Sequence, residues 1–434
     1  MYATLLHDKG RGGGSKARLA RAAASVALSV LAAGVAGAAN LDPPSTKSAP
    51  ALPDANDFWS RPYLLGDWGG ERSYLHALGI DVTLSGVNET IGNTSGGYRN
   101  FVGEASQFTL GANFDLQKLA GWQGGTIGLT LTDRFGQNQA AMAGIQTLML
   151  TNEVWGRGDI VRLTEFYFEQ KLFDDILQIK VGRLPAGSDF FFQHCDFMNL
   201  GLCGGQPGWV MSDYIYNWPV SQWGGVVKVN LTQLVAVQVG VYDQNPDYLD
   251  LAPLYALLPT FPPHSLGALI PVELQWKPVW GSLQPGDYRF GGWYSTESAN
   301  NVVTSVNGLP TLISGLPPMV DHGRSGLYFS LLQPLTGDPA GRDPKHGLSA
   351  FVNGTFGDPK TSMIENQVNV ALIQHGTFDW RPSDEVAIGY SETHVNSRIA
   401  AAQTLANALG IGRVTSSIPK ASSRPGTAFR SPAG

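Results

Sequence analysis

Charge is scarce in this sequence. Asp, Glu, Lys and Arg make up 15% of its 434 residues, where an ordinary soluble domain carries about a quarter, so a conventional solvated surface is hard to build from it. Long apolar runs are missing too. Beyond residue 39 no stretch could cross a bilayer as a helix, which excludes a helical membrane protein. Cysteine is limited to Cys195 and Cys203, so a disulfide-rich scaffold is excluded. His194 is the single imidazole beside that pair, which leaves a zinc site short of ligands. No Ser or Cys occupies a nucleophile elbow, and no H-E-x-x-H or phosphate-loop pattern occurs. The chain is therefore not read as an enzyme, and no catalytic residue, metal or cofactor is assigned. A net charge of -6 argues against nucleic acid as a partner.

What is present is glycine, at 53 residues, and aromatics, at 10%. Mean hydropathy is -0.06. A barrel wall in lipid reconciles few charges with average hydropathy near zero, because lipid-facing and water-facing residues alternate. A glycine-rich secreted β-protein is the alternative.

Residues 1–39 read as a signal peptide. Lys9, Arg11, Lys16, Arg18 and Arg21 form a positive region, Ala22 to Val35 is a small apolar run, and Ala36-Gly37-Ala38 offers a cleavage signal. These five basic residues outweigh Asp8, so cleavage would move the net charge from -6 to about -10. Residues 40–57 are Pro-, Ser- and Ala-rich without period and read as a flexible periplasmic lead. Residues 58–79 form an N-terminal segment in which two glycine-marked breaks bracket a short helix ending near Leu78.

From residue 80 to 410 the dominant signal is alternation. In Leu163 to Glu169, Phe166 and Phe168 oppose Glu165, Tyr167 and Glu169. Leu177, Ile179 and Val181 oppose Gln178 and Lys180, while Val227, Val229 and Leu231 oppose Lys228 and Asn230. Residues 106–114, 235–241, 348–356 and 367–374 continue the pattern, with turn residues between. The fold class is all-β, a transmembrane antiparallel β-barrel. Residues 184–222 and 296–321 lack clear strand periodicity and read as long loops, against short turns elsewhere.

In a channel, charged groups belong on lumen-facing positions, since the lipid-facing register tolerates them poorly. Glu165, Glu169, Lys180, Lys228 and Arg289 fall in that register. Tyr167 and Trp293 share it and could stack on a pyranose or sit in an interfacial girdle. Most lumenal charges merely keep a pore wet. Glu165 and Glu169 could also suggest a glycosidase, but residues four apart in one strand lie about 13 Å apart, beyond the roughly 5–9.5 Å that such carboxylate pairs need. The cysteine pair, if exported, can close a small disulfide loop.

Several segments closely resemble the carbohydrate-selective porin family of Gram-negative outer membranes, the OprB type. These are Leu65-Gly66-Asp67-Trp68-Gly69-Gly70 with Arg72, Leu75, Gly79 and Ile80, then Gly92 to Gly97, Leu163 to Gln170, Lys180 to Leu184 and Gly187 to Phe190. Cys195, Phe197, Asn199, Cys203 and Gly204 match the motif of that family's inward loop, and Asp243 to Pro246 and Glu392 to Arg398 extend the likeness across residues 58 to 410. The resemblance implies a barrel of 16 strands, monomeric or homotrimeric, inserted by the outer-membrane assembly machinery. It implies inward loops at 184–222 that form a constriction, and passive diffusion of glucose and related neutral sugars. By position in motif, Arg183 and Asp189 are the leading sugar-contacting candidates, with Glu165 and Glu169 on the adjoining strand. A Cys195–Cys203 disulfide would restrain the loop. A non-selective porin and a secreted sugar-binding β-domain are the alternatives.

The last residues depart from the family pattern. Residues 411–434 are Pro/Ser-rich and lack a terminal aromatic residue. Such a tail is expected to leave the wall, so the family's C-terminal strands are expected to be missing or altered here.

Overall fold

A computed structural model describes residues 63–411 except 192–196, 204–205, 212–213, 282, 338–345 and 379–383, together with the backbone of 421–422 and 426–430. The predicted signal segment, the lead and Cys195 lie outside the described residues. Thirteen strands follow one another in the sheet in chain order, each antiparallel to the next. They are β1 Ile80–Gly92, β2 Val102–Asp115, β3 Gly125–Gly136, β4 Arg162–Leu172, β5 Leu177–Leu184, β6 Gln222–Asn230, β7 Val235–Gln244, β8 Gly267–Trp276, β9 Asp287–Ser305, β10 Pro318–Pro334, β11 Gly347–Gly357, β12 Ile364–His375 and β13 Glu385–Val395. No described helix is long and apolar enough to cross a membrane.

The two faces of this sheet are inverted relative to a water-soluble protein. Val239 and Val241 of β7 are exposed while Gln238 and Tyr242, which flank them, are buried. On β8, Val272 and Leu274 are exposed and Glu273 is fully buried. An apolar outer face over a polar inner one is what a wall in lipid requires.

The sheet wraps around the chain's own connection between β5 and β6. Leu200 donates its N–H to the carbonyl of Leu150, in the β3–β4 connection, at 3.0 Å. The very next residue, Gly201, offers its carbonyl to Gln367 Nε2 at 2.8 Å and Asn369 Nδ2 at 2.6 Å on β12, and to Ser391 Oγ at 3.2 Å on β13. Neighbouring residues thus bond to the β3–β4 connection on one side and to β12 and β13 on the other, far apart in sheet order, which requires the sheet to curl around them. Phe190, Phe191, Leu200, Met211, Tyr214 and Ile215 of this segment pack with Tyr242, Trp293 and Tyr328 of the wall into the main apolar cluster. The main apolar cluster therefore lies between the sheet and its inward segment.

Connections are long at one end, 137–161, 185–221 and 245–266, and short at the other, as at 173–176 and 231–234. Before β1, Glu71–Leu78 is an α-helix between Gly70 and Gly79. Gly79 has φ +94° and donates to the carbonyls of Leu75 and His76. A side chain there would also meet Lys118 Cβ at 2.8 Å, so both conformation and space call for glycine.

Two expectations need correction. Residues 296–321 are not a loop: Thr296–Ser305 continue β9 and β10 begins at Pro318. Polar residues stand on both faces of β9 from Thr296 to Ser305, so apolar alternation gives no strand signal there. The tail does not leave the wall either. Two short strands, β14 Ala421–Ser422 and β15 Gly426–Arg430, pair antiparallel with β13, with Gly426 opposite Gly389 and Arg430 opposite Glu385. Pro419, Pro425 and Pro432 flank these segments, so every backbone N–H within them remains able to pair. Among the described residues the expected 16 strands are not reached, and no pairing joins the tail to β1.

Candidate functional site

Polar residues form rows across the inner face. Lys228, Gln238 and Glu273 stand opposite one another in succession on β6, β7 and β8. Arg289, Ser330, Asn353, Asn369 and Ser391 do the same from β9 to β13, and Thr126, Glu169 and Lys180 from β3 to β5. The cause is simple: a strand that buries one face in lipid must put every hydrogen-bonding side chain on the other.

The structure brings Tyr167, Lys180 and Asp189 together. Lys180 Nζ lies 2.9 Å from Asp189 Oδ1 and 4.3 Å from the centre of the Tyr167 ring. The ring lies across Gly128, where an added Cβ would approach it to 2.3 Å, and its hydroxyl reaches Asn113 Oδ1 at 3.4 Å. Asp189 ends the short helix Ala186–Asp189 at the start of the inward segment, so this ion pair joins wall to plug. On the same strand as Tyr167, Glu165 accepts from Thr130 Oγ1 at 3.2 Å and Glu169 lies 3.9 Å from Lys171 Nζ.

Other predicted residues are placed elsewhere. Arg289 is held by Asp287, Nη2 to Oδ2 at 2.8 Å, and Lys228 is half-buried in its row. Trp293 is not in an interfacial girdle. It is 4% exposed, donates to Tyr214 Oη at 2.9 Å and packs edge-on to Phe191, holding the plug from the wall side. Arg183 needs a correction in its role as a lumenal candidate. The register pairs it with Phe166 and Trp223 and puts it on the face of β5 opposite Lys180. Its Nη1 donates to the Leu258 carbonyl at 2.9 Å and Nη2 to the Ser221 carbonyl at 3.2 Å, and the guanidinium sits 4.6 Å above the Tyr248 ring. It pins the β7–β8 connection.

Sequence reasoning missed the densest polar centre. Buried Glu273 accepts from Gln238 at 3.0 Å, Gln275 at 2.8 Å and the Tyr328 hydroxyl at 2.5 Å. Gln238 also donates to the Asp189 carbonyl at 2.6 Å, which links this centre to the Lys180–Asp189 pair. The signal was present: Gln238 sits between Val237 and Val239, and Glu273 between Val272 and Leu274. Further ties run from Trp218 Nε1 to Gln107 Oε1 at 3.2 Å and from Arg134 Nε to the same oxygen at 2.7 Å. Cys203 is buried and is not a free thiol.

Comparison with known proteins agrees with this geometry. The family model described as "Carbohydrate-selective porin, OprB family" matches residues 100–424. The chain is 37% identical over 354 residues to Porin B of Pseudomonas aeruginosa, covering 80% of this chain and 76% of that protein. The high-pH structure of Pseudomonas putida OprB superposes with a TM-score of 0.76 at 38% identity, covering 82% of this chain and 86% of that one. The low-pH structure of the same protein gives 0.50 at 31% identity, over 77% and 84%. An inverted sheet wrapped around an inward segment, matched over most of its length by outer-membrane porins, is a channel wall of the Gram-negative outer membrane rather than an enzyme fold. The chain belongs to the carbohydrate-selective OprB porin family.

Proposed function

We propose that this protein conducts small neutral sugars such as glucose by passive diffusion. The observation that supports the reading is the pairing of Lys180 with Asp189 beside the Tyr167 ring, where wall and inward segment meet. A neutral polyol gains hydrogen bonds from paired charges and a stacking surface from the ring, whereas a bare ion meets no net opposite charge. Glu165, Glu169, Lys228 and Arg289 extend the polar wall above and below. Arg183 and Trp293 act by holding the β7–β8 connection and the plug in place.

We infer that Cys203 pairs with Cys195 and restrains the loop around Leu200 to Leu202; in a Cys195→Ser, Cys203→Ser variant, sugar discrimination should weaken more than passage itself. The helix Glu71–Leu78 lies at the end of the short turns, which we assign to the periplasmic mouth. The protein works as a monomer or a homotrimer, delivered to the membrane by the barrel assembly machinery after its signal peptide is removed.

The test is swelling of liposomes containing the purified protein, with glucose, a disaccharide and a charged solute of glucose size. Faster uptake of glucose than of both others supports the reading. Equal uptake of all three means a non-selective porin, and no swelling with inserted protein overturns passive conduction.

A further inference from the structure

The β7–β8 connection is built unlike an aqueous loop. Between Leu251 and Ser265 there is no Asp, Glu, Lys or Arg. Leu251, Leu254, Leu257, Leu258 and Phe261 are all exposed, Leu254 at 59%. A water-facing loop gains nothing from such a cluster, and contiguous exposed apolar surface marks an interaction site.

Its position says what it meets. From Leu258 to Ser265 the connection folds back over the outward face of the wall, because the anchors that hold this part, Arg183, Trp223 and Asp243, belong to the lipid-facing register. Its earlier part is held by Arg162 Nη1 on the Tyr248 carbonyl and by the Leu163 N–H on the Ala256 carbonyl. Trp223, in the same register as exposed Val227, stacks on Phe261 at 4.5 Å and donates Nε1–H to the Thr260 carbonyl at 2.9 Å. Arg183, across from Trp223, holds the Leu258 carbonyl. Asp243, in register with Val239 and Val241, accepts from Ser265 Oγ and from Tyr248 Oη, the latter at 3.4 Å.

This arrangement explains two charged residues on the lipid-facing register. Arg183 and Asp243 would be costly against acyl chains, and the connection covers both while presenting leucines in their place. Those leucines continue the apolar strip of Val227, Val239 and Val241 on β6 and β7. We propose that residues 251–261 form a lipid-embedded collar: a fold-back of the β7–β8 connection that inserts Leu254, Leu257 and Phe261 among the acyl chains of the outer leaflet.

The experiment uses the full chain in phospholipid vesicles whose acyl chains carry nitroxides at a shallow depth. A polarity-sensitive dye is attached at Leu254→Cys, with Val239→Cys as the wall control and Tyr98→Cys, from the 92%-exposed Tyr98 of the β1–β2 connection, as the aqueous control. Labelling of the unsubstituted protein gives the background. The collar predicts emission at position 254 shifted to the blue and quenched by the nitroxides to the same degree as the dye at position 239. Water-like, unquenched emission at position 254 with quenching retained at position 239 overturns the proposal without touching the membrane-spanning reading. A blue-shifted but unquenched dye, with disulfide cross-links between copies of the unlabelled Leu254→Cys protein, assigns the surface to a second copy instead and also overturns it.

Discussion

At the scale of single residues, the proposed sugar path makes the Lys180–Asp189 pair the first place to test what passes. Asp189→Asn leaves Lys180 without the carboxylate that stands 2.9 Å from it. One unit charge about 7 Å from an ion in water is worth roughly 0.6 kcal/mol, or about threefold in relative permeability. The fixed charge acts with opposite sign on the two ions, so the variant should favour anions over cations by about the square of that factor, roughly sevenfold, read as a shift in reversal potential under a salt gradient; an unmoved potential would mean that ions do not pass near this pair. Glu273 is a matter of stability instead. Glu273→Ala leaves buried donors on Gln238, Gln275 and Tyr328 short of an acceptor, at a cost of about 2–4 kcal/mol, while Glu273→Gln keeps an acceptor and loses less. The midpoint of the heat-induced gel-mobility shift should rank wild type, Gln, Ala; equal midpoints would show that the donors find water. The same two residues mark what the sequence reveals and what it hides. Strand parity alone puts Lys180 in the lumen and Arg183 outside it, and a motif match pointed to Arg183 against that parity. Glu273 was equally legible by parity, but nothing local announces that Gln238 of β7 and Tyr328 of β10 converge on it beside Gln275 of its own strand.

At the scale of elements, strands with one face in lipid were legible because the membrane imposes strict alternation on them. The outer ends of β9 and β10 were not, since Thr296 to Ser305 carry polar residues on both faces. The inward segment was legible as an irregular stretch, but its path across the lumen depends on partners far away in sequence. Its far end is tied to β12 and β13 by the Gly201 carbonyl, which receives donors from Gln367, Asn369 and Ser391, beside the packing of Phe197 and Leu202 on Phe351 and Ile373. A Gln367→Leu, Asn369→Leu variant removes two of the three and leaves the carbonyl under-satisfied, a loss of about 1–3 kcal/mol. That is enough to free the segment's tip while the apolar cluster around Phe191 and Tyr328 holds its root. Single-channel recordings should show larger and noisier conductance with the heat-shift midpoint nearly unchanged. Unaltered conductance would mean that packing alone fixes the constriction.

At the scale of the whole molecule, the question is how the wall deals with its last edge. An unpaired strand edge in hydrocarbon leaves N–H and C=O groups with no partner, each at a cost of several kcal/mol. The edge of β13 from Glu385 to Gly389 is covered by Gly426–Arg430, residue against residue. The sequence argued against this, because proline and serine dominate the tail; five consecutive residues free of proline suffice for a ladder, and composition over a longer window averages them away. If this pairing belongs to the wall, a chain ending at Gly410 must fail at insertion rather than at conduction. It should accumulate without the heat-dependent mobility shift and be extracted from membranes by urea, whereas Thr427→Ser, which keeps the backbone ladder, should behave as the full chain does. A truncated protein that still shifts on heating and resists urea would show that β13 can close the wall without the tail, and that the strands from β1 to β13 are sufficient for a barrel.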